Sequence, residues 1–279
     1  MSRRPLLDVE DLHVTFATPK GPVEAVRGVS FALGRERLGI VGESGSGKSQ
    51  TGRAILGVVD RRATVRATRL DFDGIDLRRA DERTLRRLRG ARMSMILQDP
   101  KYSLNPVMPV GRQIAEAYRV HRRAGGREAR ERTLAMLESV HIRDPERVYR
   151  AHAHELSGGM GQRVMIAMMM IAEPDLIIAD EPTSALDVTV SLQVLAVLDE
   201  MVTRRGTGLV FISHDLNLVA SFCDRVLIMY AGRVVETLAA EDLHQAEHPY
   251  TRGLLNCLPR VDRRIDPLPT LTRDPAWAR

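Results

Sequence analysis

The eight residues Gly42-Glu43-Ser44-Gly45-Ser46-Gly47-Lys48-Ser49 constrain this chain more than any other part of it. They fit the pattern GxxxxGKS/T, follow the short apolar run Leu38-Gly39-Ile40-Val41, and lead into a stretch from Ser49 to Val58 with helical spacing. In a strand, glycine-rich loop and helix taken in that order, successive backbone N–H groups and a helix N-terminus form a positive concavity for phosphate. Glycines let the backbone approach the anion closely. Lys48 would then reach the β- and γ-phosphates of a nucleoside triphosphate and the Ser49 hydroxyl would ligate Mg2+, with Gln50 following at the helix start. A flexible glycine turn is the competing reading, and the flanking strand and helix argue against it.

A second apolar run, Leu176-Ile177-Ile178-Ala179, ends in Asp180-Glu181 and so sets two carboxylates at the C-terminal end of a buried strand. Asp180 is the candidate for Mg2+, and Glu181, facing another way, the candidate for the attacking water. An acidic pair after a strand is by itself more often the start of a solvated loop; its company with the phosphate loop decides otherwise. A helix from about Val190 to Arg204 separates this strand from Leu209-Val210-Phe211-Ile212, a βαβ pattern that implies a parallel core sheet. Leu6 to Phe16 and Val23 to Leu33 read as antiparallel strands around a turn at Thr18-Pro19-Lys20-Gly21-Pro22. Between Asp99 and Glu155, a proline-punctuated loop leads to helical periodicity at Val110–His121 and Arg127–Val140. Val226–Met229 and Gly232–Val235 read as a hairpin, after which Pro259, Pro267, Pro269 and Pro275 punctuate a tail.

The longest apolar stretch, Val164 to Ala172, falls far short of the ~20 residues that cross a bilayer, and the first residues lack the apolar core of a secretory signal. Two cysteines, Cys223 and Cys257, stand at no metal-ligand spacing and read as free thiols. The net charge of +5 comes partly from arginine runs at 83–92 and 119–132, which read as solvated helix faces. No aromatic residues interleave with them, so the sequence makes no case for nucleic acid as a partner. Met165, Met168, Met169 and Met170 read as core packing.

Many unrelated nucleotidases share a phosphate loop. Leu156-Ser157-Gly158-Gly159-Met160, upstream of Asp180, resembles the signature motif of the ABC ATPases. Standing alone it would be a serine-capped helix start. Gln98 matches that family's Q-loop, Ser184-Ala185-Leu186-Asp187 its D-loop, His214 its switch histidine, and Phe16 its aromatic A-loop position. The resemblance implies that Phe16 stacks on adenine, although a strand phenylalanine is more often core. It further implies that Gln98 contacts Mg2+ and water, that His214 bonds the γ-phosphate, and that Asp187 belongs to the nucleotide site. Ser157, Gly158 and Gly159 would face ATP held by a second subunit, a helix end meeting an anion in trans.

The implied fold is α/β: a P-loop NTPase of the ABC ATPase type, with a parallel core sheet, an antiparallel β subdomain and a helical subdomain. The cassette would span 1–260, with the helical subdomain inserted at about 99–160 and a short C-terminal tail at 261–279. Gly39 to Ser49, Gln98-Asp99-Pro100 through Ser103-Leu104-Asn105-Pro106, and His248-Pro249-Tyr250-Thr251 with Leu254-Leu255 are similar to the peptide and nickel importer branch. That branch implies ATP and Mg2+ as cofactors, two membrane-spanning permeases, a second ABC ATPase subunit, identical or different, and an extracytoplasmic substrate-binding protein. The expected location is the cytoplasmic face of the membrane. Gly161, where the branch carries a basic residue, is expected to loosen its helix start. A soluble ABC ATPase acting on ribosomes or DNA is the alternative; its usual duplicated cassettes or long insertions are missing from this sequence.

Overall fold

The computed structural model describes residues 4–100, 103–184, 186–257, 274 and 277. It divides into two compact units, one comprising Met1–Arg79 and Val210–Arg279, the other Ala80–Leu209.

The first unit opens with the antiparallel pair β1 (Leu7–Thr18) and β2 (Gly21–Leu33), which pair from Leu7 opposite Leu33 to Thr18 opposite Gly21 with register shifts at Val9/Leu12, Leu12/His13 and Val14/Thr15. Val9, Leu12 and Val14 turn inward, and the register shift between Val9 and Leu12 coincides with Asp11 at φ 53. The anticipated five-residue turn is tighter, because Gly21 and Pro22 already belong to β2. Next come β3 (Arg37–Val41) and α1 (Lys48–Leu56), followed by β4 (Ala63–Arg66), β5 (Arg69–Phe72) and β6 (Ile75–Asp76). β4 and β5 both add to β1 antiparallel, and β6 pairs with β5. α1 stops before Val58 because Gly57 takes the left-handed conformation and returns its N–H to Ala54 and Arg53.

The second unit contains α2 (Glu82–Leu88), β7 (Met93–Ile96), α3 (Val110–Arg122), α4 (Gly126–Ser139), α5 (Pro145–Arg150), α6 (Gly158–Met170), β8 (Leu176–Asp180) and α7 (Val188–Arg205). β7 and β8 pair in parallel, Met93 beside Leu176, and every residue of both is buried. Fully buried, largely apolar strands of this kind are what a sheet covered on both faces requires. An ion pair of 2.7 Å between Arg92 and Asp175 closes their N-terminal ends. α5, not legible from periodicity, is a short helix capped by Asp144 with Pro145 in its first turn. In α6, Met165 and Met170 are core while Met168 and Met169 are half-buried. Gly161 does not interrupt α6; a Cβ there would lie 3.3 Å from Pro100.

The chain returns to the first unit within β9 (Gly208–Ser213), then forms α8 (Leu216–Phe222), β10 (Arg225–Tyr230), β11 (Arg233–Ala239) and α9 (Pro249–Asn256). Here the strand order is β11-β10-β3-β9, with β10 parallel to β3 and antiparallel to β11. α8 lies close to β3 because Gly39 has no side chain: a Cβ would sit 2.2 Å from Val219. Beside it, burial pushes the Cys223 thiol up to about 12. Since alkylation needs the thiolate, iodoacetamide at pH 8 is expected to modify half-buried Cys257 and spare Cys223 until the protein unfolds, as peptide mass spectrometry would show.

α9 follows the hairpin within the expected 1–260 span, and Pro249 occupies its first turn. Pro259, Pro267, Pro269, Pro275 and Ala185, and the expected tail at 261–279 apart from Asp274 and Trp277, lie outside the described residues. Among the described residues no helix is long and apolar enough to cross a membrane.

Candidate functional site

In the first unit the chain leaves β3 at Val41 and enters α1 at Lys48, and the loop between them is fixed by close backbone approach. A Cβ on Gly42 would lie 2.1 Å from the Met229 carbonyl oxygen, and one on Gly47 2.4 Å from that of Ala25. Gly47, the N-cap of α1, has φ 99, and Gly45 at the exposed tip has φ 84. The N–H of Gly232, in the β10–β11 turn, donates to the Ser46 carbonyl at 3.1 Å. No acidic residue stands in the first turn of α1.

Lys48 is 5% exposed, and its Nζ donates to the carbonyls of Gly42 at 2.7 Å and Glu43 at 2.8 Å. The ammonium therefore lies inside the curl of the loop. Ser46 Oγ is buried and has no hydrogen-bond partner among the described residues, a polar atom whose cost an incoming acceptor would relieve. Ser44 is exposed, and Glu43, Ser49 and Gln50 are half-buried. This set suits a polyanion: a buried cation, a helix N-terminus and an unsatisfied hydroxyl on one short loop.

Phe16, near the end of β1 opposite Val23 and Ala63, is half-buried, whereas Phe31 and Phe72 are core. His214 is exposed directly after β9. Its flanks are fixed, since the Asp215 N–H donates to Ser213 Oγ and the Asp215 carboxylate caps α8 through the Leu218 N–H.

The remaining candidates lie in the second unit. Gln98 is exposed just beyond β7. Asp180 ends β8 at 5% exposed, and Glu181 follows at φ 48. A glutamate in the left-handed region costs about 1 kcal/mol relative to ordinary backbone, and such strain collects at functional sites. The Glu181 carbonyl is held by the N–H and Oγ of Ser184. Ser157 caps α6 by accepting from the Met160 N–H at 3.4 Å, and Asp187 caps α7 by accepting from the Val190 N–H at 3.0 Å. Gly159 is required by packing, since a Cβ would lie 2.3 Å from Val190 of α7. Gly158, more open, has Leu186 at 3.4 Å. Sequence reasoning caught the serine but missed why Gly159 must be glycine, a contact invisible before α7 is placed.

A phosphate loop between a parallel-sheet strand and a helix, on a mixed α/β fold, defines a P-loop nucleotidase. The profile of the ABC transporter family matches residues 26–184. The oligopeptide transport ATP-binding protein OppD of Salmonella typhimurium is 46% identical over 272 residues, 97% of this chain and 81% of the relative. The dipeptide transport ATP-binding protein DppD of Bacillus subtilis is 46% identical over 260 residues, 92% of this chain and 78% of the relative. Among solved structures, the dimeric MJ0796, a bacterial ABC transporter cassette, superposes with TM-score 0.74 at 25% identity, covering 84% of this chain and 99% of that one. The chain belongs to the ABC transporter family and is one of its ATPases.

Proposed function

We propose that this chain is the ATP-hydrolysing subunit of a peptide importer, paired with a second cassette beneath two membrane-embedded permeases on the cytoplasmic face of the membrane. An extracytoplasmic binding protein would deliver the solute. The oligopeptide and dipeptide names of OppD and DppD support peptide as the cargo class, and the transporter relatives weigh against the soluble ribosome or DNA reading. The domain division at 1–260, with an insertion at about 99–160, remains part of this reading.

The observation that carries the ATP assignment is the loop itself, with Lys48 Nζ held by the Gly42 and Glu43 carbonyls beside the unpartnered Ser46 Oγ. Triphosphate would add charged oxygens to the neutral carbonyls around the ammonium and satisfy the serine. Ser49 and Asp180, with Gln98, are hard oxygen donors that suit Mg2+, an ion that binds through one or two protein groups plus phosphates. When bound it neutralises charge on the β- and γ-phosphate oxygens. Phe16, half-buried, would cover the base.

In hydrolysis, water oxygen bonds to the γ-phosphorus and the bond to the ADP oxygen breaks. Glu181 orients that water and receives its proton, and His214 hydrogen-bonds the γ-phosphate oxygens. Ser157, Gly158 and Gly159 act on ATP held by the partner cassette, where the N-terminus of α6 stabilises the γ-phosphate charge. Asp187, which caps α7, would contribute to the nucleotide site. Lys48→Ala tests the assignment. Removing the buried cation should weaken ATP binding about tenfold or more, read by equilibrium titration with a fluorescent ATP analogue. Unchanged affinity would remove the loop from the reading.

A further inference from the structure

The sequence element His248-Pro249-Tyr250 has no role in the chemistry above, yet the fold gives each of its residues a task. His248 caps α9, its Nδ1 accepting from the Tyr250 N–H at 3.2 Å, and Pro249 occupies the first turn. Tyr250 is fully buried, in an aromatic nest with the Tyr230 ring at 4.6 Å and the Trp277 ring at 6.0 Å. From that nest its hydroxyl accepts the backbone N–H of Glu43 at 3.1 Å. Glu43 is the second residue of the phosphate loop.

The Glu43 N–H and the Gly42 carbonyl belong to one peptide unit, which is rigid and planar with the two groups pointing to opposite sides. One edge of that plane meets Tyr250; the other meets Lys48 Nζ at 2.7 Å. Holding the N–H therefore sets the direction of the carbonyl. Burial keeps water from competing for the bond, and the phenol stands on a helix whose own start is capped.

We propose that Tyr250 is a positioning residue for the phosphate loop: its hydroxyl fixes the Gly42–Glu43 peptide plane that presents a carbonyl to Lys48. The proposal rests on the loop being the ATP site. Without the hydroxyl the plane can rotate, and loop and ammonium must be ordered at the expense of phosphate binding. The Gly232 contact to Ser46 pins the far side of the same loop, so the loss is partial.

The test compares Tyr250→Phe with the unaltered chain for binding of ATP and of tripolyphosphate, which lacks the base. One neutral hydrogen bond corresponds to about a fivefold weakening, and both ligands should show it equally. Phe16→Ala, acting on the base, should weaken ATP and leave tripolyphosphate unchanged, which separates a phosphate effect from a base effect. If Lys48→Ala loses ATP while Tyr250→Phe binds both ligands normally, the positioning role is wrong and the ATP site stands. If Lys48→Ala binds ATP normally, the ATP-site reading fails and takes this proposal with it. Should Tyr250→Phe fail to fold, amide hydrogen exchange of the unaltered chain decides. The Glu43 N–H should exchange far more slowly than that of exposed Ser44, and equal rates would overturn the proposal.

Discussion

Glu181→Gln should leave ATP bound and slow its hydrolysis by about 100-fold or more, the usual contribution of a positioned base. Glutamine has the same shape and keeps the backbone as it is, including φ 48 and the carbonyl bonds from Ser184. What it loses is the charge that, on the proposed mechanism, would orient water and take its proton. The thermal midpoint should therefore stay within a degree or two while turnover collapses, a split that a structural role for Glu181 would not produce. The measurement is phosphate release by the assembled transporter at saturating ATP, with gel filtration to detect cassette pairs held together by unhydrolysed nucleotide. Normal turnover would transfer the base role elsewhere. The backbone strain at Glu181 would then stand with that at Glu173, at φ 57, as a matter of loop geometry.

That strain shows what sequence reading can and cannot reach. β3, the phosphate loop and α1 were legible because their signal is local: an apolar run, fixed glycine spacing, then helical periodicity. β8 and β9 were legible for the same reason, as short buried apolar runs. β4, β5 and β6 were not, since each has four residues or fewer and depends on β1 or on its neighbour for its hydrogen bonds. The Asp180-Glu181 pair could be read, but not the positive φ that divides it. Ser157 shows that two readings can coexist: its hydroxyl caps α6 as any serine would, and the same helix start carries the family signature. Tyr250 was recognised only as part of a shared sequence element. Its bond to Glu43 spans more than two hundred residues, which no window of periodicity can register.

The second large effect is expected at Gly47, where two costs coincide. An alanine would hold a φ near 99, about 1–2 kcal/mol above ordinary backbone. Its Cβ would also lie 2.4 Å from the Ala25 carbonyl oxygen. Ala25 lies where the β1–β2 register shifts, between Val26 opposite Val14 and Glu24 opposite Thr15, so it takes up part of the strain. Two residues on, the Arg27 N–H bonds the Gly232 carbonyl at 2.8 Å and limits how far β2 can move. The loop must move as well, taking with it the first turn of α1 and the N–H groups of the proposed phosphate site. With overpacking at about 1–3 kcal/mol, the combined strain is about 2–5 kcal/mol, or roughly 30- to 5,000-fold in ATP affinity. Gly45 is the internal control, since its φ is 84 but nothing lies within 4 Å of a Cβ built there. Gly45→Ala should bear only the backbone cost, about tenfold. Titration of both variants with ATP, alongside their unfolding midpoints, separates the two contributions. Equal losses would mean that backbone conformation alone demands glycine at 47; a much larger loss in Gly47→Ala would show that the contact with β2 sets the shape of the phosphate loop.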